Sequence, residues 1–303
     1  MVDKNAYENE VRPTWCPGCG NFGLRSALQR ALVQVGLVPE DVIMVTGIGQ
    51  SGKTNDYMRI CGFHGLHGRP LPAATGIKLA NHAKKVIVGH GDGDGYGEGG
   101  NHFIHAIRRN IGFVDIVHNN EVYALTRGQF SPTTERGTET PTSPRGVREQ
   151  PLNALALAIS QGATFVARTY TLNLPHMIST FVEALNHRGY ALVEVMQVCV
   201  TFFREMGQEE YRNRMYVLQD EGHDSSDWGA AMNKAREYPG DGRIPLGIFY
   251  RTEEVPAYEE RIATLQKGPL VSQPLRIRPK EDYWDLIYEL MTENVDMEAP
   301  RGD

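Results

Sequence analysis

The chain has 303 residues, of which 41% are hydrophobic and 22% charged, enough for a large globular core. A formal net charge of −6 with no long basic block argues against nucleic acid or an anionic membrane as partner. No apolar run approaches the ~18 residues of a membrane span. The charged segment Met1 to Glu10 lacks the apolar stretch of a secretory signal, so a cytoplasmic protein is expected.

In chain order, Gly20 to Val35 predicts a helix with Leu24, Leu28, Ala31 and Leu32 on one face. Asp41 to Thr46 reads as a buried strand, followed by a Gly- and His-rich stretch to about Lys78. Lys84 to His90 is a second strand, Gly99 to Arg109 a helix and Phe113 to His118 a third strand. Gly128 to Gln150, rich in Pro, Thr, Ser and Gly, is a long loop. Then follow helix Leu152 to Gln161, strand Thr164 to Arg168, helix Pro175 to Arg188 and strand Ala191 to Met196. Strands alternating with helices predict an α/β fold, a mainly parallel sheet with helices on both faces. Phe203 to Arg243 is polar and has no sustained apolar period before Ile244 to Tyr250. Residues 1–200 are therefore expected to form the main domain, and 201–303 an irregular C-terminal extension packed on it.

Two glycine-rich segments could hold phosphate. Gly47 to Thr54, Gly-Ile-Gly-Gln-Ser-Gly-Lys-Thr, fits the G-x-x-x-x-G-K-[ST] pattern of a P-loop NTPase. A P-loop needs an α-helix starting at its Lys-Thr end, and the glycines at 62, 65 and 68 leave room for only a short helix. The second segment, His90-Gly-Asp-Gly-Asp-Gly-Tyr-Gly-Glu-Gly-Gly-Asn-His102, lies between a strand and a helix. Glycines let a diphosphate approach the backbone, and Asp92 can hold a divalent cation. Asp92 cannot complete an octahedral Mg²⁺ site alone. Asn120, 28 residues further on in His118-Asn-Asn-Glu-Val-Tyr123, lies at the end of the next strand. That spacing resembles thiamin diphosphate enzymes, in which the Asp, the Asn and a backbone carbonyl two residues later, here that of Val122, hold Mg²⁺.

The resemblance sharpens along the chain. Thr14-Trp-Cys-Pro-Gly-Cys-Gly-Asn21, Gly62-Phe-His-Gly-Leu-His-Gly-Arg69, Ala74-Thr-Gly-Ile-Lys-Leu-Ala-Asn81, Gly99-Gly-Asn-His102 and Tyr123-Ala-Leu-Thr-Arg-Gly-Gln129 resemble the thiamin-diphosphate-binding beta subunit of 2-oxoacid:ferredoxin oxidoreductases. The resemblance implies oxidative decarboxylation of a 2-oxoacid, 2-oxoglutarate being favoured, to an acyl-coenzyme A. Electrons would pass through a [4Fe–4S] cluster to ferredoxin. It implies cofactor contacts from Gly49, Ser51, His64, His67, Gly91, Asp92, Gly93, Asp94, Asn120, Leu125 and Thr126. It places Arg127 at the substrate carboxylate, with Lys53 and His67 near the reacting centre. The carboxylate that activates the thiamin ring, and the coenzyme A site, are expected on an alpha subunit, so this chain alone should be inactive.

Cys16-Pro-Gly-Cys19 could bind zinc, act in redox exchange or do neither. The resemblance makes Cys16, Cys19 and Cys199 cluster ligands, but Gln50 stands where the family commonly has its remaining cysteine. Cys61, the fourth and last cysteine, is the expected substitute. A non-redox thiamin-dependent decarboxylase and a zinc-binding assembly subunit are the alternative readings.

Overall fold

The computed structural model describes residues 3–197, 199–202, 208–239, 242–274 and 283–292. Ten strands and nine α-helices are assigned in them. The strands are β1 (Val42–Thr46), β2 (Cys61–His64), β3 (Lys85–Gly91), β4 (Phe113–Asn119), β5 (Val122–Tyr123), β6 (Gln129–Phe130), β7 (Phe165–Tyr170), β8 (Ala191–Met196), β9 (Met215–Val217) and β10 (Ile244–Arg251). The helices are α1 (Asn21–Gln34), α2 (Pro70–Ala80), α3 (Gly100–Arg109), α4 (Ala154–Ser160), α5 (Leu174–Asn186), α6 (Gln208–Arg214), α7 (Trp228–Ala235), α8 (Ala263–Gln266) and α9 (Tyr283–Thr292). None of them is long and apolar enough to cross a membrane.

Eight strands form one sheet in the order β2-β1-β3-β4-β8-β7-β10-β9. The first six are mutually parallel, and β10 runs antiparallel to β7, with Gly247 opposite Arg168. Alternation along each strand builds two cores. Val45, Val86, Val88, Val117, Val166 and Leu192 pack towards Leu71, Phe103, Ile107 and Leu155 on α2, α3 and α4. Their neighbours Met44, Ile87, Ile116, Ala167 and Val193 point the other way, towards Leu24, Leu28, Met177 and Phe181 on α1 and α5. A sheet covered on both faces explains why these strands are nearly continuous apolar runs. All seven residues of β4 are buried.

Local chemistry sets the helix ends. Asn153 caps α4 by accepting from Ala156 N at 3.0 Å, and its Nδ2 donates to Ala235 O at 2.8 Å. Asn173 caps α5 by accepting from His176 N at 3.3 Å, with Pro175 in the first turn. Gly20 gives α1 no side-chain cap, and the first helical side chain, Asn21, instead bonds His118 Nδ1 at 2.8 Å.

Several elements escape the sequence reading. β2 and α2 arise in the Gly- and His-rich stretch after β1, to which the sequence pattern assigns no element, and α2 runs on to Ala80. All four β2 residues are exposed, so it shows no apolar signature. Helix α2 opens with Pro70-Leu-Pro72, a sequence that signals a turn as readily as a first helical turn. The polar stretch after Phe203 also holds α7, whose buried face is small, Ala231 and Ala235. β10 joins the main sheet through β7. Residues 1–270 form one compact unit and 271–303 a second.

Candidate active site

β1 sends the chain outward to the edge strand β2, whereas β3 starts the series that runs the other way. The carboxyl ends of β1 and β3 therefore flank a topological switch point, where open α/β sheets bind ligands. A small cleft opens there. Its wall is built from three loops: Ile48 to Ser51 after β1, Gly91 to Asp94 after β3, and Asn120 to Thr126 after β4, joined by His67.

Of the eleven residues expected at the cofactor, ten line this cleft: Gly49, Ser51, His67, Gly91, Asp92, Gly93, Asp94, Asn120, Leu125 and Thr126, with Val122 beside them. His64 does not. It ends β2 opposite Thr46, and its Nε2 would lie 3.3 Å from a Cβ at Gly52. Lys53 is half-buried in the turn below, and Arg127 is exposed just beyond Thr126; neither lines the cleft. Arg127 has φ 83°, a left-handed conformation that a long side chain rarely adopts.

The P-loop reading does not survive. The segment Gly52–Tyr57 after the glycines is a short 3₁₀ turn leading into β2, with Lys53 second in it. No α-helix N-terminus stands where a triphosphate would need one.

Asp92 is 1% exposed. Its Oδ1 accepts from Asn120 N at 3.4 Å and its Oδ2 from Thr133 Oγ1 at 2.8 Å. Burial pushes its carboxyl up to about 6, despite the hydroxyl and backbone donors that oppose this. Among the described residues no Lys or Arg pairs with this carboxylate, and a divalent cation in the cleft would supply the positive charge. Asn120 Oδ1 accepts from Val122 N at 3.1 Å, so the Asn120 amide and the Val122 backbone stand together. Gly93 is there for space: a Cβ would come within 2.3 Å of the Tyr123 ring. These features fit a diphosphate held through a metal ion. Among the described residues, no three His, Cys, Asp or Glu side chains converge on one ion. A metal in the cleft would thus take one carboxylate and complete its shell from amide, carbonyl and diphosphate oxygens.

Asp94 has a structural task that the motif did not announce. Its Oδ1 accepts from Ile48 N at 3.2 Å and Gly68 N at 2.8 Å, and lies 2.9 Å from His67 Nδ1. It thereby ties the β1 loop and the histidine loop to the glycine segment. Gly47 must be glycine here, because a Cβ would sit 1.7 Å from Asp94 Oδ2. Ile48, Gln50, Tyr123 and Ala124 also line the cleft. Their motifs were visible, but nothing in the side chains signalled a role.

A buried polar network supports the cleft from below. Tyr96, in the π-type turn Gly93–Glu98, donates to Glu194 Oε1 at 3.3 Å. Arg168 Nε donates to Glu194 Oε2 at 2.7 Å, and the guanidinium lies 5.1 Å from the Tyr238 ring centre. Tyr238 OH donates to Glu121, which has φ 56° between Asn120 and Val122. Burial pushes the Glu121 carboxyl up to about 8. The chain after residue 200 thus reaches back to hold the loop that carries Asn120.

The cysteines separate into three and one. Cys19 N bonds Cys16 O at 3.0 Å, Thr201 Oγ1 donates to Cys16 Sγ at 3.2 Å, and Gln197 Nε2 donates to Cys19 Sγ at 3.6 Å. Phe202 N donates to Cys199 Sγ at 3.4 Å. Burial, with Cys199 and Cys16 nearby, pushes the Cys19 thiol up. Cys61 is exposed and begins β2 opposite Ile43, towards the amino end of the sheet. β2 lies four strands from β8, which precedes Cys199, a separation of roughly 19 Å at ~4.8 Å per strand. The structure does not bring Cys61 to the other three.

The fold, the switch-point cleft and the glycine-Asp-Asn constellation define a thiamin diphosphate enzyme. In agreement, residues 45–195 match the family "Thiamine pyrophosphate enzyme, C-terminal TPP binding domain", and residues 199–267 match the C-terminal family of the pyruvate ferredoxin oxidoreductase beta subunit. The chain belongs to the beta subunits of the 2-oxoacid:ferredoxin oxidoreductases, enzymes that act with partner subunits. The 2-oxoacid:ferredoxin oxidoreductase subunit beta of Saccharolobus solfataricus is 41% identical over 296 residues, 91% of this chain and 95% of that protein. The 2-oxoglutarate synthase subunit KorB of Methanocaldococcus jannaschii is 35% identical, covering 87% of this chain and 97% of that protein. A solved 2-oxoglutarate:ferredoxin oxidoreductase from Magnetococcus marinus, with 2-oxoglutarate, coenzyme A and succinyl-CoA bound, superposes with a TM-score of 0.85 at 32% identity, over 94% of this chain and 96% of that one.

Proposed function

We propose that this chain is the thiamin diphosphate and iron–sulfur half of a coenzyme A-acylating oxidoreductase for 2-oxoglutarate, working with an alpha subunit and delivering electrons to ferredoxin. The observation that carries this reading is the convergence of Asp92, Asn120 and the Val122 backbone on the switch-point cleft, with three cysteines gathered by the loops after β8 and before α1. The relatives of 2-oxoglutarate type support the choice of substrate.

Asp92, the Asn120 amide and the Val122 carbonyl would hold Mg²⁺. Gly91 and Gly93 let a diphosphate approach, while Gly49 and Ser51 close the opposite wall. Leu125 and Thr126 stand at the mouth. When bound, thiamin diphosphate supplies a nucleophilic carbon and an electron sink for decarboxylation. The protein's part is to position, charge and dry that centre. His67, fixed against Asp94, is placed to hydrogen-bond substrate or cofactor. Arg127 suits the substrate carboxylate through its planar two-pronged donor. Lys53 is the second candidate cation.

Phe63, Leu66 and Leu125 are exposed apolar side chains near this edge, Leu66 at 75%. They support an alpha subunit that covers the cleft and contributes the ring-activating carboxylate and the coenzyme A site. The test is anaerobic purification with the alpha subunit, followed by 2-oxoglutarate- and coenzyme A-dependent reduction of ferredoxin. The pair should turn over and the single chain should not. Decarboxylation without ferredoxin reduction would instead select the non-redox decarboxylase, and zinc without thiamin the assembly subunit.

A further inference from the structure

Four cysteines are present, and the structure gathers only three of them. A cubane iron–sulfur cluster ordinarily takes four thiolates. The remaining cysteine, Cys61, is on the edge strand and at the wrong end of it. Gln50 has the opposite situation. Its carbonyl accepts from Trp15 Nε1 at 2.9 Å, and Trp15 immediately precedes Cys16. Its side-chain oxygen Oε1 is buried and finds no hydrogen-bond partner among the described residues. An orphaned amide oxygen costs on the order of 1–3 kcal/mol, unless something positive fills the space it faces.

We propose that this chain binds its cluster through three thiolates, Cys16, Cys19 and Cys199, and that the fourth iron has no cysteine and is faced by the amide oxygen of Gln50. This rests on the iron–sulfur reading above. An amide oxygen is a hard, neutral donor and holds cluster iron far more weakly than a thiolate. The fourth iron is therefore labile. Ferricyanide takes one electron from the [4Fe–4S]²⁺ cluster and becomes ferrocyanide. The resulting [4Fe–4S]³⁺ cluster breaks its bonds to that iron and separates into [3Fe–4S]⁺ and Fe²⁺. Ferrous ion with a reductant restores the fourth iron.

The experiment uses the anaerobic complex with the alpha subunit. Iron and sulfide are counted, and electron paramagnetic resonance spectra recorded, before and after one equivalent of ferricyanide. Wild type and Cys61→Ser should both fall from four irons to three, with the three-iron signal appearing. Gln50→Cys should keep four irons under the same treatment. Gln50→Ala, which removes the oxygen and adds no ligand, should lose its fourth iron faster than wild type. It keeps the test open should Gln50→Cys fail to fold. Iron retained by wild type but lost from Cys61→Ser would overturn the inference and leave the iron–sulfur reading intact. Wild type lacking iron and sulfide altogether would overturn both.

Discussion

Arg168 and Glu194 offer a sharp test of how the C-terminal segment supports the cleft. Both are 2% exposed and are joined at 2.7 Å. Arg168→Met keeps the aliphatic bulk and removes the charge. Glu194 is then left buried with only the Tyr96 hydroxyl, at 3.3 Å, as partner. Breaking a buried pair in this way costs about 3–5 kcal/mol. Arg168 Nη1 is already buried without a partner, so the pair is not fully satisfied and the lower half of that range applies. For a domain this large the loss corresponds to a melting-temperature drop on the order of 5–7 °C. The double variant Arg168→Met, Glu194→Leu removes the orphaned charge and should recover most of that loss. Tyr96 then has no acceptor, so thiamin diphosphate affinity should stay weakened, because Tyr96 anchors the turn that follows Asp92. Thermal melts and titration calorimetry of the holo-complex read the two effects separately. A single variant as stable as wild type, or a double variant no more stable than the single, would refute the argument.

Four further outcomes follow from the site. Tyr238→Phe removes the hydroxyl held by Glu121 and should weaken Mg²⁺-dependent thiamin diphosphate binding by about tenfold, while costing about 1–3 kcal/mol in a melt. Asp92→Asn keeps the shape and removes the charge; thiamin diphosphate binding in Mg²⁺ buffer should fall by roughly a hundredfold or more, read by fluorescence quenching. Arg127→Ala should raise the KM for 2-oxoglutarate by roughly tenfold and leave thiamin diphosphate affinity within about twofold, since Arg127 does not line the cleft. His187, buried and bonded to Thr164 at 2.9 Å, has its ring pushed down to about 4 by burial and by Arg251. The unfolded chain takes up this proton first, near 6.5. The contribution is therefore complete above 6.5, is lost as pH falls from 6.5 towards 4, and levels off below; its size is on the order of 3 kcal/mol. Urea unfolding across that window should flatten in His187→Gln, and an unchanged slope would count against the assignment.

How much was legible follows from what each residue does. The parallel sheet was readable because strands buried on both faces must be nearly continuous apolar runs, and Val42 to Thr46, Phe113 to His118 and Ala191 to Met196 are, broken in their interiors only by Asp115 and Glu194. β2 was not, because an exposed edge strand carries no such constraint. The cleft was readable where chemistry demands particular residue types at a fixed spacing: glycines for close approach, then Asp92 and Asn120. Partners brought together only by the fold were silent. Asp94 looks like a second metal carboxylate, yet its Oδ1 is used by Ile48 N and Gly68 N, loop contacts that no local pattern encodes.

Gln50 and Cys61 carry that reasoning one step further. Counting cysteines pointed from Gln50 to Cys61 because both stand in one loop sequence, eleven residues apart. Sequence proximity is a sound guide only while the chain stays at one end of the sheet. Here the chain turns through Gly52–Tyr57, drops to the amino end, and re-enters as β2 with Cys61 leading. The strand then carries His64, not Cys61, up to the edge where β1 delivered Gln50. The same turn that defeats the P-loop reading therefore also removes the substitute ligand. It leaves at the carboxyl edge one buried oxygen without a partner and three thiols without a fourth. Trp15, the residue before Cys16, is tied to the Gln50 carbonyl by a hydrogen bond, which makes a shared occupant a more economical account than two separate defects.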